Sequence, residues 1–84
     1  MKYTVTWKLS AHRRLADIWV DAPDRSAVTS AADTIDRLLR VSPEDQGESR
    51  SGSVRILIVL SLAVVYDVRE ADRLVDVLSV RHVP

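Results

Sequence analysis

No cysteine occurs among the 84 residues of this chain. That excludes disulfides, thiolate nucleophiles and cysteine-based zinc sites, and it fits a reducing compartment. Neither sign of charge is in excess, because twelve Lys and Arg stand against twelve Asp and Glu. A chain that grips nucleic acid by bulk charge alone is thereby ruled out. Long apolar runs are lacking as well. The longest, Ile56 to Val65, is interrupted by Ser61, and a spanning helix needs about twenty apolar residues. The N-terminal Met1-Lys2-Tyr3-Thr4-Val5-Thr6-Trp7 carries no apolar core of signal-peptide length, so a soluble cytoplasmic protein with no membrane contact is expected. Glycine is scarce, and neither Gly47 nor Gly52 precedes the Lys-Ser/Thr of a phosphate-binding loop. His12 and His82 stand in no ligand spacing, so neither a metal nor another cofactor is expected.

What is present suits one small globular domain spanning residues 1–84, with 46% hydrophobic residues. A domain this size buries only about 60–65% of the surface its unfolded chain exposes, so its stability margin is thin. A neutral small protein also tends to self-associate, which makes an obligate partner worth expecting.

Tyr3 to Leu9 alternates, with Tyr3, Val5, Trp7 and Leu9 on one face and Thr4, Thr6 and Lys8 on the other. That period of two predicts a strand. Ser10 offers an N-cap for a helix whose apolar stripe is Ala11, Leu15, Ile18, Trp19 and Ala22, closed by Pro23. Asp24 or Ser26 can cap a second helix with Val28, Ala31, Ala32, Ile35, Leu38 and Leu39 inward. On this reading Trp7 and Trp19 are core residues and His12 faces solvent. Ser42 to Ser53 holds Pro43, both glycines and four serines without periodicity, and reads as one long loop. Three apolar runs follow, Val54–Leu60, Leu62–Val68 and Arg73–Arg81. Near-continuous apolar strands call for a covered sheet, and only the two helices can cover it. The predicted architecture is α+β, in the order β-α-α-β-β-β, with two helices on a largely antiparallel sheet.

The residues able to do chemistry are basic groups around that sheet, namely Arg50, Arg55, Arg81 and His82. Arg81 and His82 end the last strand, where an arginine could neutralise a phosphate and a histidine could move protons near neutrality. Solvated positions at strand ends are the plainer reading of each taken alone.

The order of elements, the strand Val5-Thr6-Trp7 and the stretch Leu15-Ala16-Asp17-Ile18-Trp19 resemble the RelE/ParE superfamily of bacterial toxins. So do Ala31 to Leu39, Gly47-Glu48-Ser49-Arg50, Arg55 opening a strand, Val65-Tyr66-Asp67-Val68 and the ending Val77 to His82. The resemblance covers nearly the whole chain and rests on order and spacing. It implies the toxin of a type II toxin–antitoxin pair, held in a hetero-oligomer by a small antitoxin. RelE-like members cut mRNA on the ribosome, whereas ParE-like members poison DNA gyrase.

A RelE-type reading makes Arg55, Arg81 and His82 catalytic, gathered in one cleft, with Arg50 reaching in from the loop to bind RNA. Arg55 and Arg81 would hold the scissile phosphate, and His82 would act as general acid or base. Two departures weigh against that reading. Ala63 or Val64 occupies the strand position where nuclease members usually place an arginine. No tyrosine follows His82, which precedes only Val83 and Pro84. Losing one well-placed charge-stabilising donor typically costs on the order of 10²–10³ in rate. The alternatives are a gyrase inhibitor, a degenerate member that binds only its antitoxin, and a non-toxic interaction module.

Overall fold

The computed structural model describes residues 2–83. The first strand, β1 (Thr4–Trp7), is shorter than the alternation predicts. The Lys8 N–H bonds Val77 O at 2.9 Å and the chain turns at once into α1 (Leu9–Asp21). Leu9 therefore sits in the first helical turn, 64% exposed, rather than on the inward face of a strand. Ser10 lies inside the helix, and Lys8 takes the N-cap position without a side-chain bond. Helix α2 (Arg25–Val41) starts where the sequence places it, with the Asp24 carboxylate accepting the Ala27 N–H at 3.1 Å.

The predicted loop holds more order than its composition suggests. A 3₁₀ turn covers Pro43–Asp45, and Glu48–Ser51 forms a short strand, β2. All four β2 residues are exposed, so no apolar alternation betrays them. Backbone pairing with β3 (Val54–Val59) defines the strand instead. Gly47 lies at φ +62°, and a Cβ there would fall 1.9 Å from Ile56 O, so only glycine permits this approach. Strands β4 (Leu62–Arg69) and β5 (Leu74–His82) complete a five-stranded sheet in the order β1-β5-β4-β3-β2. A second 3₁₀ turn, Glu70–Asp72, joins them. The sheet is mixed, because β1 runs parallel to β5 while every other neighbouring pair is antiparallel.

Both helices lie on one face, where Leu57, Leu62, Val64, Tyr66, Val68, Val75, Val77 and Val80 meet Ile18, Val28, Ile35 and Leu39 in a single core. Alternation along β3 and β4 turns Ile56, Ile58 and Val65 to the other face, which the described residues leave uncovered. Across β4 and β5 the register slips by one at Leu78, a bulge that lets β5 keep Val75 and Val77 inward before it and Val80 inward after it. Trp7 is half-buried against the core, as its strand position predicts. Trp19 is not a core residue. It is 41% exposed at the end of the helical hairpin, its ring under the Arg25 guanidinium at 4.7 Å and its indole N–H donating to Thr29 Oγ1 at 3.1 Å. No helix among the described residues is long and apolar enough to cross a membrane.

Candidate functional site

Arg55 opens β3 directly opposite Tyr66 on β4, and adjacent positions of an antiparallel pair share a face. Its side chain is committed locally. Nε donates to Gln46 O at 3.0 Å and Nη2 to Gly47 O at 3.2 Å, so the guanidinium closes the bend that leads into β2. The Tyr66 hydroxyl, fully buried, lies 2.8 Å from both Pro43 O and Gln46 O. Burial pushes this phenol's pKa above its ordinary value, and the nearby Arg55 opposes the shift.

Beside Arg55 lies a shallow pocket bounded by Glu44, Gly52, Ser53, Val68 and Glu70. The carboxyl groups of Glu44 and Glu70 share a hydrogen bond there. That bond raises the Glu44 pKa and lowers that of Glu70. Glu70 also accepts the Tyr3 hydroxyl at 2.6 Å and pairs with Arg73 at 3.2 Å. Arg73 in turn donates to Tyr3 Oη at 3.2 Å, closing a triangle between the start of β1 and the turn before β5. Tyr3 is held protonated above its ordinary range, chiefly by the bond to Glu70. Sequence reasoning missed this cluster, and no local pattern could have supplied it, since Tyr3 and Glu70 are 67 positions apart.

The other predicted residues do not join Arg55. Arg81 stands opposite Ala63 and His82 opposite Leu62, so successive residues turn to opposite faces of the sheet. His82 shares the helix-side face with Arg55 but lies four positions farther along β4, about 13 Å at ~3.3 Å per residue, and two strands away. Arg81 points to the uncovered face. The expected single cleft of Arg55, Arg81 and His82 is therefore not assembled, because β alternation separates the adjacent pair and Arg55 is turned onto Gln46 and Gly47. Arg50 sits on β2, the outer strand, rather than on a loop. Ala63 and Val64, which stand where nuclease-type members of the resembled family carry an arginine, are both buried. Among the described residues no cluster of three or more His, Asp or Glu could hold a metal ion.

A second concavity, about 380 Å³, runs along the helical hairpin between His12, Leu15, Trp19, Val28 and Ala32. It is mainly apolar, and Trp19 forms one wall.

This arrangement, two helices on one face of a β1-β5-β4-β3-β2 sheet, is the fold of the RelE/ParE toxins. The chain is similar to a structure of the RelBE2 toxin–antitoxin complex of Mycobacterium tuberculosis, with a TM-score of 0.77, 17% identity, and 98% and 99% of the two chains covered. It is also similar to the chromosomal ParDE system of P. aeruginosa, with a TM-score of 0.74, 18% identity, and 98% and 97% coverage. A free E. coli RelE bearing two arginine-to-alanine substitutions gives a TM-score of 0.71 at 17% identity, covering 95% of this chain and 82% of that one. No protein-family profile and no curated protein sequence matches the chain.

Proposed function

We propose that this chain is the toxin of a type II toxin–antitoxin pair and that it acts by binding its target, not by cutting RNA. The fold shared with RelE and ParE proteins supports the first half of the reading. The observation that carries the second half is the commitment of Arg55 to Gln46 O and Gly47 O, with Arg81 and His82 divided between the two faces of the sheet. A phosphoryl-transfer site needs charge-stabilising donors converging on one phosphate, beside a proton-transfer group within about 3 Å. These three residues do not converge. Arg81 and His82 then belong to a contact surface on the last strand, and DNA gyrase is the target class that fits a toxin without a nuclease centre.

The decisive experiment induces the chain in cells with and without the product of whatever small open reading frame adjoins its gene. Growth arrest relieved by that protein is the expected result. Purified chain is then assayed on translating ribosomes for mRNA cleavage and on gyrase for loss of supercoiling. Gyrase inhibition without cleavage is expected; ribosome-dependent cleavage abolished by Arg81→Ala or His82→Ala would overturn the binding mechanism and restore the nuclease reading.

A further inference from the structure

The sheet face turned away from the helices carries a pattern that complements itself. At its centre Val65 on β4 stands opposite Ile56 on β3 and Ser79 on β5. Two positions along β4 toward one end come Ile58, Ala63 and Arg81; two positions toward the other come Val54, Asp67 and Asp76. These residues share the outer face because Leu57, Val64, Tyr66, Val77 and Val80, which alternate with them, are turned to the core. Apolar side chains thus run down β3, with Ile58 56% exposed, while β5 carries opposite charges at equal distances from the centre.

The two ends differ in how their charges are met. At the acidic end a single guanidinium, that of Arg69, serves both carboxylates, 3.8 Å from Asp67 and 3.3 Å from Asp76, so the group stays net negative. At the basic end Arg81 makes no ion pair among the described residues. A twofold axis lying in the face, across the strands through Val65, exchanges these ends. It sets Ile56 and Val65 against their own copies, Ile58 against Val54, and Arg81 against the Asp67–Asp76 group. Stacked sheets lie about 10 Å apart, a gap that an arginine side chain spans to a facing carboxylate. Glu48, beside Ile56 on the outermost strand, meets its own copy only at the solvent rim, where like charges are screened.

We propose that this face binds a second copy of the chain, forming a twofold dimer with Ile56, Ile58 and Val65 at its centre and Arg81 paired with the partner subunit's Asp76 on either side. A face whose charges and apolar strip match under a twofold operation is what an isologous interface requires. The carboxylates at one end repel a nucleic acid, and the single arginine at the other is too little for one. Five strands at about 4.8 Å spacing make a small contact, which places the dimer among weak, reversible associations. The proposal goes beyond the toxin reading and does not depend on it.

The test is analytical ultracentrifugation of the purified chain across a range of concentrations. A mass of twice 9.4 kDa is expected by about 0.1 mM, as for a micromolar association. Ile58→Glu, at an exposed position of the apolar strip, weakens the dimer about tenfold or more while circular dichroism shows the sheet retained. Arg81→Glu and Asp76→Arg are each monomeric alone, because each brings like charges together across the axis. An equal mixture of the two restores the dimer, because the exchanged charges then face each other. Should Asp76→Arg unfold, Ile58→Glu and Arg81→Glu decide without it. A chain that stays monomeric at the highest concentration overturns the proposal. So does a dimer that neither Ile58→Glu nor Arg81→Glu weakens, and so does one loosened by Trp19→Ala instead, which places the contact on the helical hairpin.

Discussion

Arg55 and Tyr66, neighbours across β3 and β4, converge on one acceptor: the Gln46 carbonyl lies 3.0 Å from the arginine Nε and 2.8 Å from the tyrosine hydroxyl. Two side chains from the rigid sheet thereby fix a segment that has little apolar surface of its own. The bend between α2 and β2 is held by hydrogen bonds where a larger domain would use core packing.

Arg55 accordingly behaves as a structural residue. Arg55→Ala removes two hydrogen bonds from a charged donor and costs about 1–3 kcal/mol in denaturant unfolding. Arg55→Lys recovers little, because a point charge cannot reproduce the fork onto two carbonyls. An Arg55→Ala variant as stable as the parent would contradict this assignment.

Tyr66→Phe tests the same contact from the other side and costs about 1 kcal/mol. It also changes the alkaline limb. A phenol whose pKa is raised by folding contributes stability that is fully present below its unfolded value, near 10, and lost as pH rises through the folded value. Tyr3 adds a loss of the same sign. The variant's stability should fall less steeply than that of the parent in alkaline melting curves.

The Glu44–Glu70 pair makes an acid-side prediction with two opposite contributions. Glu44, raised by its bond to Glu70, contributes stability that is present below its unfolded pKa and fades as pH rises through the folded one. Glu70, lowered, contributes stability that is lost as pH falls through its folded pKa. The clasp is therefore strongest in mildly acidic solution, where the pair holds one proton. Glu44→Gln keeps a donor at every pH and should raise the melting temperature at neutral pH more than at acidic pH. An equal shift at both would rule out the shared proton.

Gly47→Ala is the backbone test. A methyl placed 1.9 Å from Ile56 O at positive φ forces the β2–β3 hairpin apart, with a loss of well over 1 kcal/mol. Gly52→Ala meets nothing within 4 Å and pays only for its φ of +57°. Unfolding curves should separate the two variants clearly.

The sequence was most legible where one face is buried. Val28, Ala31, Ile35 and Leu39 recur at helical spacing and all lie in the core. The Asp24 cap and the β3–β4 hairpin around Leu60–Ser61 follow from similarly local signals. Strand β2 was invisible because Glu-Ser-Arg-Ser buries nothing. Trp19 misled because helical spacing put it on the apolar stripe, while the hairpin ends too soon for anything to cover it. The candidate site was legible only as a set of residue types. Arg81 and His82 are adjacent in sequence, and in a strand adjacency separates two side chains. Which carbonyls would claim Arg55 depended on a bend that only the folded chain defines.

The pairing of the first strand with the last also sets an order of events in folding. Thr6 reaches Val75 and Asp76 across some seventy positions of chain, so closing β1 onto β5 carries the largest loop entropy in the molecule. The β3–β4 hairpin closes across only two residues and needs no such search. Assembly therefore starts in the centre of the sheet and finishes at its β1 edge, and the chain folds slowly for its length. Until that last step the inward edge of β5 is bare along all nine of its residues, with Val75 and Val77 still lacking their neighbours on β1. The interval before β1 arrives is when this protein is most prone to pair with another unfinished copy of itself.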